Sequence, residues 1–300
     1  GYLILFIVCD KPWLYDKCYI QSFKQYIILL MFFKYKSFSI SIFFILFTIN
    51  LNAENQFPID KAITYGKLDN GFTYYIRENK KPKDKAYIKL VIKAGSVMEE
   101  ENQLGLAHLL EHMAFNGSTN YPKNALDKFM SSIGLDLGSH YNATTGHLKT
   151  VYEYEIPTDD PINIATTIKI LADISNNLTL EGEAFERERK IVEEEWRSDL
   201  GASKRYFDEL LPYLYKDSRL LERKPIGDIE VIRNFEYDDA RSYYKKWYQP
   251  NLMGLFVIGD VDVNEIKNII AESFSSFENN DVTIPNYKIP DFKENQFFKY

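Results

Sequence analysis

Residues 104–115, LGLAHLLEHMAF, place two incompatible surfaces on one short helix. At about 100° per residue, Leu106, Leu109, Leu110 and Met113 fall on one side, and His108, Glu111, His112 and Phe115 on the other. The first stripe must be buried, so the helix packs on a core and turns the second stripe towards a cleft or solvent. Two imidazoles one turn apart can meet a single ion, the spacing of a zinc site built on a helix. Glu111, next to the second histidine, can then take a proton from a water that the metal has acidified. The competing reading is a solvated helix face that happens to contain histidine.

The rest of the chain supplies a core for such a helix. It has 300 residues, 45% of them hydrophobic and 15% aromatic, enough for one large domain or two small ones. Residues 67–77, KLDNGFTYYIR, and 86–96, AYIKLVIKAGS, read as two opening strands paired with each other. In the second, Ile88, Leu90 and Ile92 alternate with lysines. A second helix is expected from Pro122 to Gly134, and a strand over 150–157. Ile164, Ile168, Leu171 and Ile174 recur at helical spacing, and a long charged helix follows over 183–200. A strand over 254–262 and a helix over 263–277 complete the pattern. Strands and helices mix without strict alternation. That favours an α+β fold, a largely antiparallel sheet with helices packed on one face.

A catalytic zinc takes three protein ligands and keeps one position open, so a third ligand must come from elsewhere. On the helix 183–200, Ala184, Phe185, Glu188, Ile191, Val192 and Glu195 share one face. Glu186, Lys190, Glu193 and Glu194 lie outside it. Carboxylates on an apolar stripe are costly unless paired or bound to metal, so Glu188 and Glu195 are both candidates. The wheel does not choose between them. His140 and His147 lack partners at helical spacing and read as surface or groove positions.

The stretches GLAHLLEHMAFNGSTNYP, SHYNATTGHLKTVYEYEIP and ERERKIVEEEWR together resemble the pitrilysin family of inverted zinc peptidases, whose H-x-x-E-H order reverses that of the more familiar zinc-protease helix. The resemblance runs over residues 58–280, with KPIGDIEVIRNF and YYKKWYQPNLMGLFVIGDVD matching the later part of the domain. It implies a pitrilysin-like metallopeptidase domain holding one Zn2+ per chain on His108, His112 and Glu195. Glu111 would be the general base and Glu188 an acid supporting the site. It further implies that a peptide substrate adds as a strand beside YNATT, meeting Asn142 and Ala143, with Phe115 near the cleft. Two departures stand out. The gap between His112 and Glu195 is slightly longer than members commonly show. Active members also pair such a half with a second homologous half, in the same chain or as a separate subunit.

The first fifty residues read differently. MFFKYKSFSISIFFILFTINLNAEN begins at Met31, carries Lys34 and Lys36 and runs apolar from Phe38 to Ile49. It ends at Leu51-Asn52-Ala53, the outline of a signal peptide over 31–53. Export to the periplasm or beyond is therefore expected, with a mature start near Glu54. Residues 1–30 read as upstream sequence translated in error, 54–280 as the N-terminal peptidase domain, and 281–300 as a linker towards a second half. A membrane anchor joining Tyr26 to Ile49 is the rival reading, but it would hold Lys34 and Lys36 mid-span. Both cysteines, Cys9 and Cys18, precede the expected mature start, so cysteine-bound zinc and thiol catalysis are not expected. A net charge of −7 with acids and bases well mixed gives no reason to expect nucleic acid.

The leading expectation is a zinc-dependent endopeptidase acting on short or unfolded peptides. The alternative is a non-catalytic peptide-binding or processing partner of the same fold. A third, an anchored interaction protein without metal, requires the histidine stripe to be accidental.

Overall fold

The computed structural model describes residues 60–287. The expected signal peptide over 31–53, the residues before it and residues 288–300 of the expected linker lie outside the described residues. Six strands, β1 (Thr64–Lys67), β2 (Thr73–Glu78), β3 (Lys85–Ile92), β4 (Tyr141–Thr145), β5 (Thr150–Pro157) and β6 (Met253–Gly259), form one sheet in the order β1-β2-β6-β3-β5-β4. Every neighbouring pair is antiparallel except β2 and β6, which run parallel.

Alternation decides which face of the sheet is buried. In β3, Ala86, Ile88, Leu90 and Ile92 point into the core, where they meet Tyr152, Tyr154 and Ile156 of β5 and Leu255 and Val257 of β6. The intervening lysines face outward, where Lys89 pairs with Glu153 at 2.7 Å and Lys85 with Glu155 at 2.5 Å. The helices are α1 (Leu106–Met113), α2 (Ala125–Ser132), α3 (Pro161–Asn176), α4 (Gly182–Ser198), α5 (Ala202–Leu214), α6 (Arg219–Glu222), α7 (Ile229–Asn234), α8 (Tyr237–Trp247) and α9 (Val263–Phe274). Of these, α1, α3 and α9 pack against the strands. Local chemistry sets several starts. Asp160 caps α3 ahead of Pro161, its carboxylate accepting from the Ile162 amide, and Asp262 caps α9 through the amides of Asn264 and Glu265. Among the described residues no helix is long and apolar enough to cross a membrane.

One expected pairing is wrong. The two opening strands do not pair; β6 lies between β2 and β3 and is hydrogen-bonded to both. Asn70 and Gly71 instead turn β1 into β2, a strand the alternation did not reveal, and Gly71 takes the φ of 93° that such a turn requires. The physical reason is burial. Met253, Gly254, Leu255, Val257 and Gly259 are all buried, so β6 is satisfied only with a strand on each side.

α1 leaves the sheet through a loop that Glu99 organises. Glu99 is fully buried, and its carboxylate accepts from the amides of Gly105 (3.0 Å) and Ala107 (2.9 Å), groups a helix start otherwise leaves without partners. Its carbonyl oxygen in turn accepts from Arg219 and from Arg223. Gly227 packs so tightly on this start that a Cβ there would lie 2.4 Å from the Gly105 Cα. Glu99→Ala strands two buried amides, and we expect it to lower unfolding free energy by about 2–4 kcal/mol. Urea denaturation checks this; a loss below about 0.5 kcal/mol would show that the loop is held by other means.

Candidate metal centre

α1 buries its leucines as its periodicity requires: Leu106, Leu109 and Leu110 are fully buried, and Met113 nearly so. The opposite stripe opens on a cleft of about 650 Å³ lined by His108, Glu111, His112, Phe115, Asn142, Ala143, Thr145, Glu188 and Glu195, among others. Every site residue named from the sequence is therefore brought to one cavity. His140 and His147 are not. His140 accepts from the Asp136 amide on another surface, and His147 lies 3.1 Å from the Leu220 carbonyl.

Three side chains converge on one point. His108 Nε2 and His112 Nε2 are 3.2 Å apart, and Glu195 Oε2 lies 3.7 Å from the first and 3.6 Å from the second. Tetrahedral zinc with ligands at about 2.1 Å requires its ligand atoms to be roughly 3.4 Å apart, so the triangle fits the ion. Among the described residues this is the group of histidine and acid side chains that could hold a metal.

The surrounding groups set protonation. Glu188, on α4, takes His112 Nδ1 at 3.2 Å. A carboxylate can only accept, so Nδ1 carries a proton, and in the neutral ring the Nε2 lone pair faces the convergence point. Burial lowers the His112 pKa, but the bond to Glu188 and the charges of Glu195 and Glu111 outweigh it and raise the value overall. Burial, followed by the His112 charge, lowers that of His108 to about 4, leaving it neutral and free to donate a lone pair. Glu188 is raised by burial, yet its bonds from His112 and Asn116 hold it below the usual range. Burial raises Glu111, against a hydrogen bond from Thr145 and the His112 charge.

The expectation of two buried carboxylates on α4 needs correction. Glu188 is 8% exposed, but the Glu195 side chain is 44% exposed and Ile191 is also open. Past its midpoint the stripe stops facing the core and becomes the wall of the cleft. Glu193 and Glu194 are exposed or half-exposed and paired with arginines, Glu193 with Arg233 and Arg197, Glu194 with Arg197.

Four contributors escaped the sequence reading. Asn116 donates to Glu188 at 2.8 Å, and one more helical step past His112 could have found it. Thr145 donates to Glu111 at 2.9 Å, and Pro225 and Ile226 close one wall. Nothing local in the sequence ties these last three to the histidines.

The chain matches the model of insulinase, peptidase family M16, over residues 74–220, and that of the M16 inactive domain over 234–300. It belongs to the M16 peptidase family. A probable zinc protease, PqqL, of Haemophilus influenzae is 33% identical over 228 residues, 76% of this chain and 25% of that protein. The crystal structure of the periplasmic protease PqqL from Escherichia coli is 35% identical with a TM-score of 0.75, over 79% of this chain and 26% of that one. A structure of the first half of the same E. coli protein is matched over 50% of its length. The M16 chain described here thus spans about a quarter of the length of the curated relatives it matches first.

Proposed function

We propose that the chain is the metal-bearing part of an exported zinc endopeptidase that hydrolyses short or unfolded peptides. The observation that carries this reading is the convergence of His108, His112 and Glu195 in a cleft that also holds a separate buried carboxylate, Glu111. One Zn2+ is held by those three residues. When bound, zinc supplies Lewis-acid polarisation of a peptide carbonyl and acidifies water.

Glu111 is the general base. It accepts a proton from the water that attacks the carbonyl carbon and passes it to the leaving amine as the C–N bond breaks. Its burial favours this two-way traffic, because a raised pKa brings the carboxylate closer to the proton affinity of its partners. Glu188 fixes His112 in the tautomer that offers Nε2. β4 is an edge strand, paired through β5 on one side. A peptide laid along its other side bonds to the backbone of Asn142 and Ala143, with Phe115 at the cleft wall.

The chamber is completed by a second homologous half, in the same full-length chain or as a separate subunit. The E. coli relative, solved both whole and as a first half, supports this division. Export to the periplasm or outside rests on the leader-like residues 31–53 and on the periplasmic location named for that relative. A purely non-catalytic partner of this fold has no need to keep H-x-x-E-H together with Glu188 and Glu195.

Dialysis against 1,10-phenanthroline should abolish cleavage of an unstructured fluorogenic peptide by the purified protein joined to its second half, and one equivalent of zinc should restore it. Cleavage that survives complete removal of metal would overturn the proposal.

A further inference from the structure

Thr145 ends β4, and its hydroxyl lies 2.9 Å from Glu111 Oε2. Chemistry fixes the direction of this bond. Thr145 Oγ1 is also 3.4 Å from Thr150 Oγ1, but the Thr150 hydroxyl lies 3.0 Å from the Ala94 carbonyl oxygen, which can only accept. Thr150 therefore directs its proton to Ala94, and Thr145 directs its own to Glu111. The pleat aims the group: Tyr141 and Ala143 are buried on the inner face of β4, Asn142 and Thr144 are exposed on the other, and Thr145 follows inward. Its backbone is held in register against Thr150, as Thr144 is against Val151.

We propose that Thr145 is a positioning residue for Glu111, tying the carboxylate to the strand whose free edge receives the peptide. The inference rests on the reading of Glu111 as the base. A carboxylate torsion of glutamate is broad and weakly restrained by itself. Among the described residues Thr145 is the hydrogen-bond donor to this carboxylate. With it in place, the base and the backbone that aligns the scissile carbonyl move as one body. Without it, the carboxylate turns freely while the helix, the metal ligands and the peptide edge stay where they are.

The test compares parent, Thr145→Val, Thr145→Ser and Glu111→Gln, each joined to its second half, in steady-state cleavage of one fluorogenic peptide, with zinc content and circular dichroism measured on each. Thr145→Val should keep the parent's zinc, spectrum and KM while kcat falls about 10- to 100-fold, the worth of a hydrogen bond to a charged group. Thr145→Ser, which restores the donor, should return kcat to within about threefold of the parent. Should the valine variant not fold, Thr145→Ala is read in its place. Unchanged kcat in the valine variant, an equal loss in the serine variant, or loss of zinc would overturn this inference while leaving Glu111 as the base. Activity in Glu111→Gln, or no cleavage by the parent, would instead overturn the underlying reading, and this inference with it.

Discussion

Glu111→Gln is expected to leave zinc content at the parent level and to lower kcat by about 10²- to 10⁴-fold, the usual worth of a positioned general base. The separation of the two effects comes from geometry. Glu111 sits beside His112 in sequence, but its carboxylate is engaged by Thr145 and stands outside the His108, His112, Glu195 group. Glutamine keeps the size and the acceptor oxygen that Thr145 needs, so α1 and its histidines should not move. What it cannot do is take and return a proton. KM should stay close to the parent value, because the proposed peptide site is the edge of β4 and not this side chain. A variant that lost zinc along with activity would show that Glu111 supports the metal directly.

Glu195→Gln should give the converse pattern. Its side chain is 44% exposed and belongs to the open wall of the cleft, so its loss should change the stability of the metal-free protein by no more than about 0.5 kcal/mol. Its oxygen nevertheless completes the triangle with the two imidazoles. Replacing a charged ligand by a neutral amide should weaken zinc more than the roughly 10- to 100-fold typical of residues that only orient a ligand. Chelator competition measures the first quantity and urea denaturation the second. Intact zinc affinity in this variant would remove Glu195 from the ligand set and reopen Glu188 as the alternative.

α1 was the most legible part of the chain because both of its faces are written locally. Leucines at Leu106, Leu109 and Leu110 could only be buried, and that alone turned His108 and His112 to the cleft. β5 was nearly as plain: Thr150, Val151 and Tyr152 are all buried, and from Tyr152 to Pro157 buried and half-buried residues alternate. The insertion of β6 between β2 and β3 was not legible. It joins Met253–Gly259 to strands far earlier in the chain, and a local hairpin reading of β2 and β3 has no term for a third strand competing for both edges.

The α4 wheel grouped Glu188 with Glu195 correctly but treated the stripe as uniformly buried. Periodicity reports which residues share a face, not where that face passes from core to cleft. α5 offered less to read, because it buries no residue and carries Pro212 inside. Thr145 was invisible for a different reason: a hydroxyl commits to a partner only when the fold supplies one, here a glutamate on α1. The family resemblance added what periodicity lacked, a choice of Glu195 over Glu188 as ligand, and the triangle at His108 and His112 now gives that choice a geometric argument.

Whether the cleft of His108, His112 and Glu195 is a zinc site is decided by zinc per chain, measured by elemental analysis after dialysis in the purified parent and in His108→Ala. About one zinc is expected in the parent and almost none in the variant, with the two proteins equally folded by circular dichroism. No zinc in either, or the same content in both, would contradict the zinc site and return the histidine stripe to an ordinary helix face.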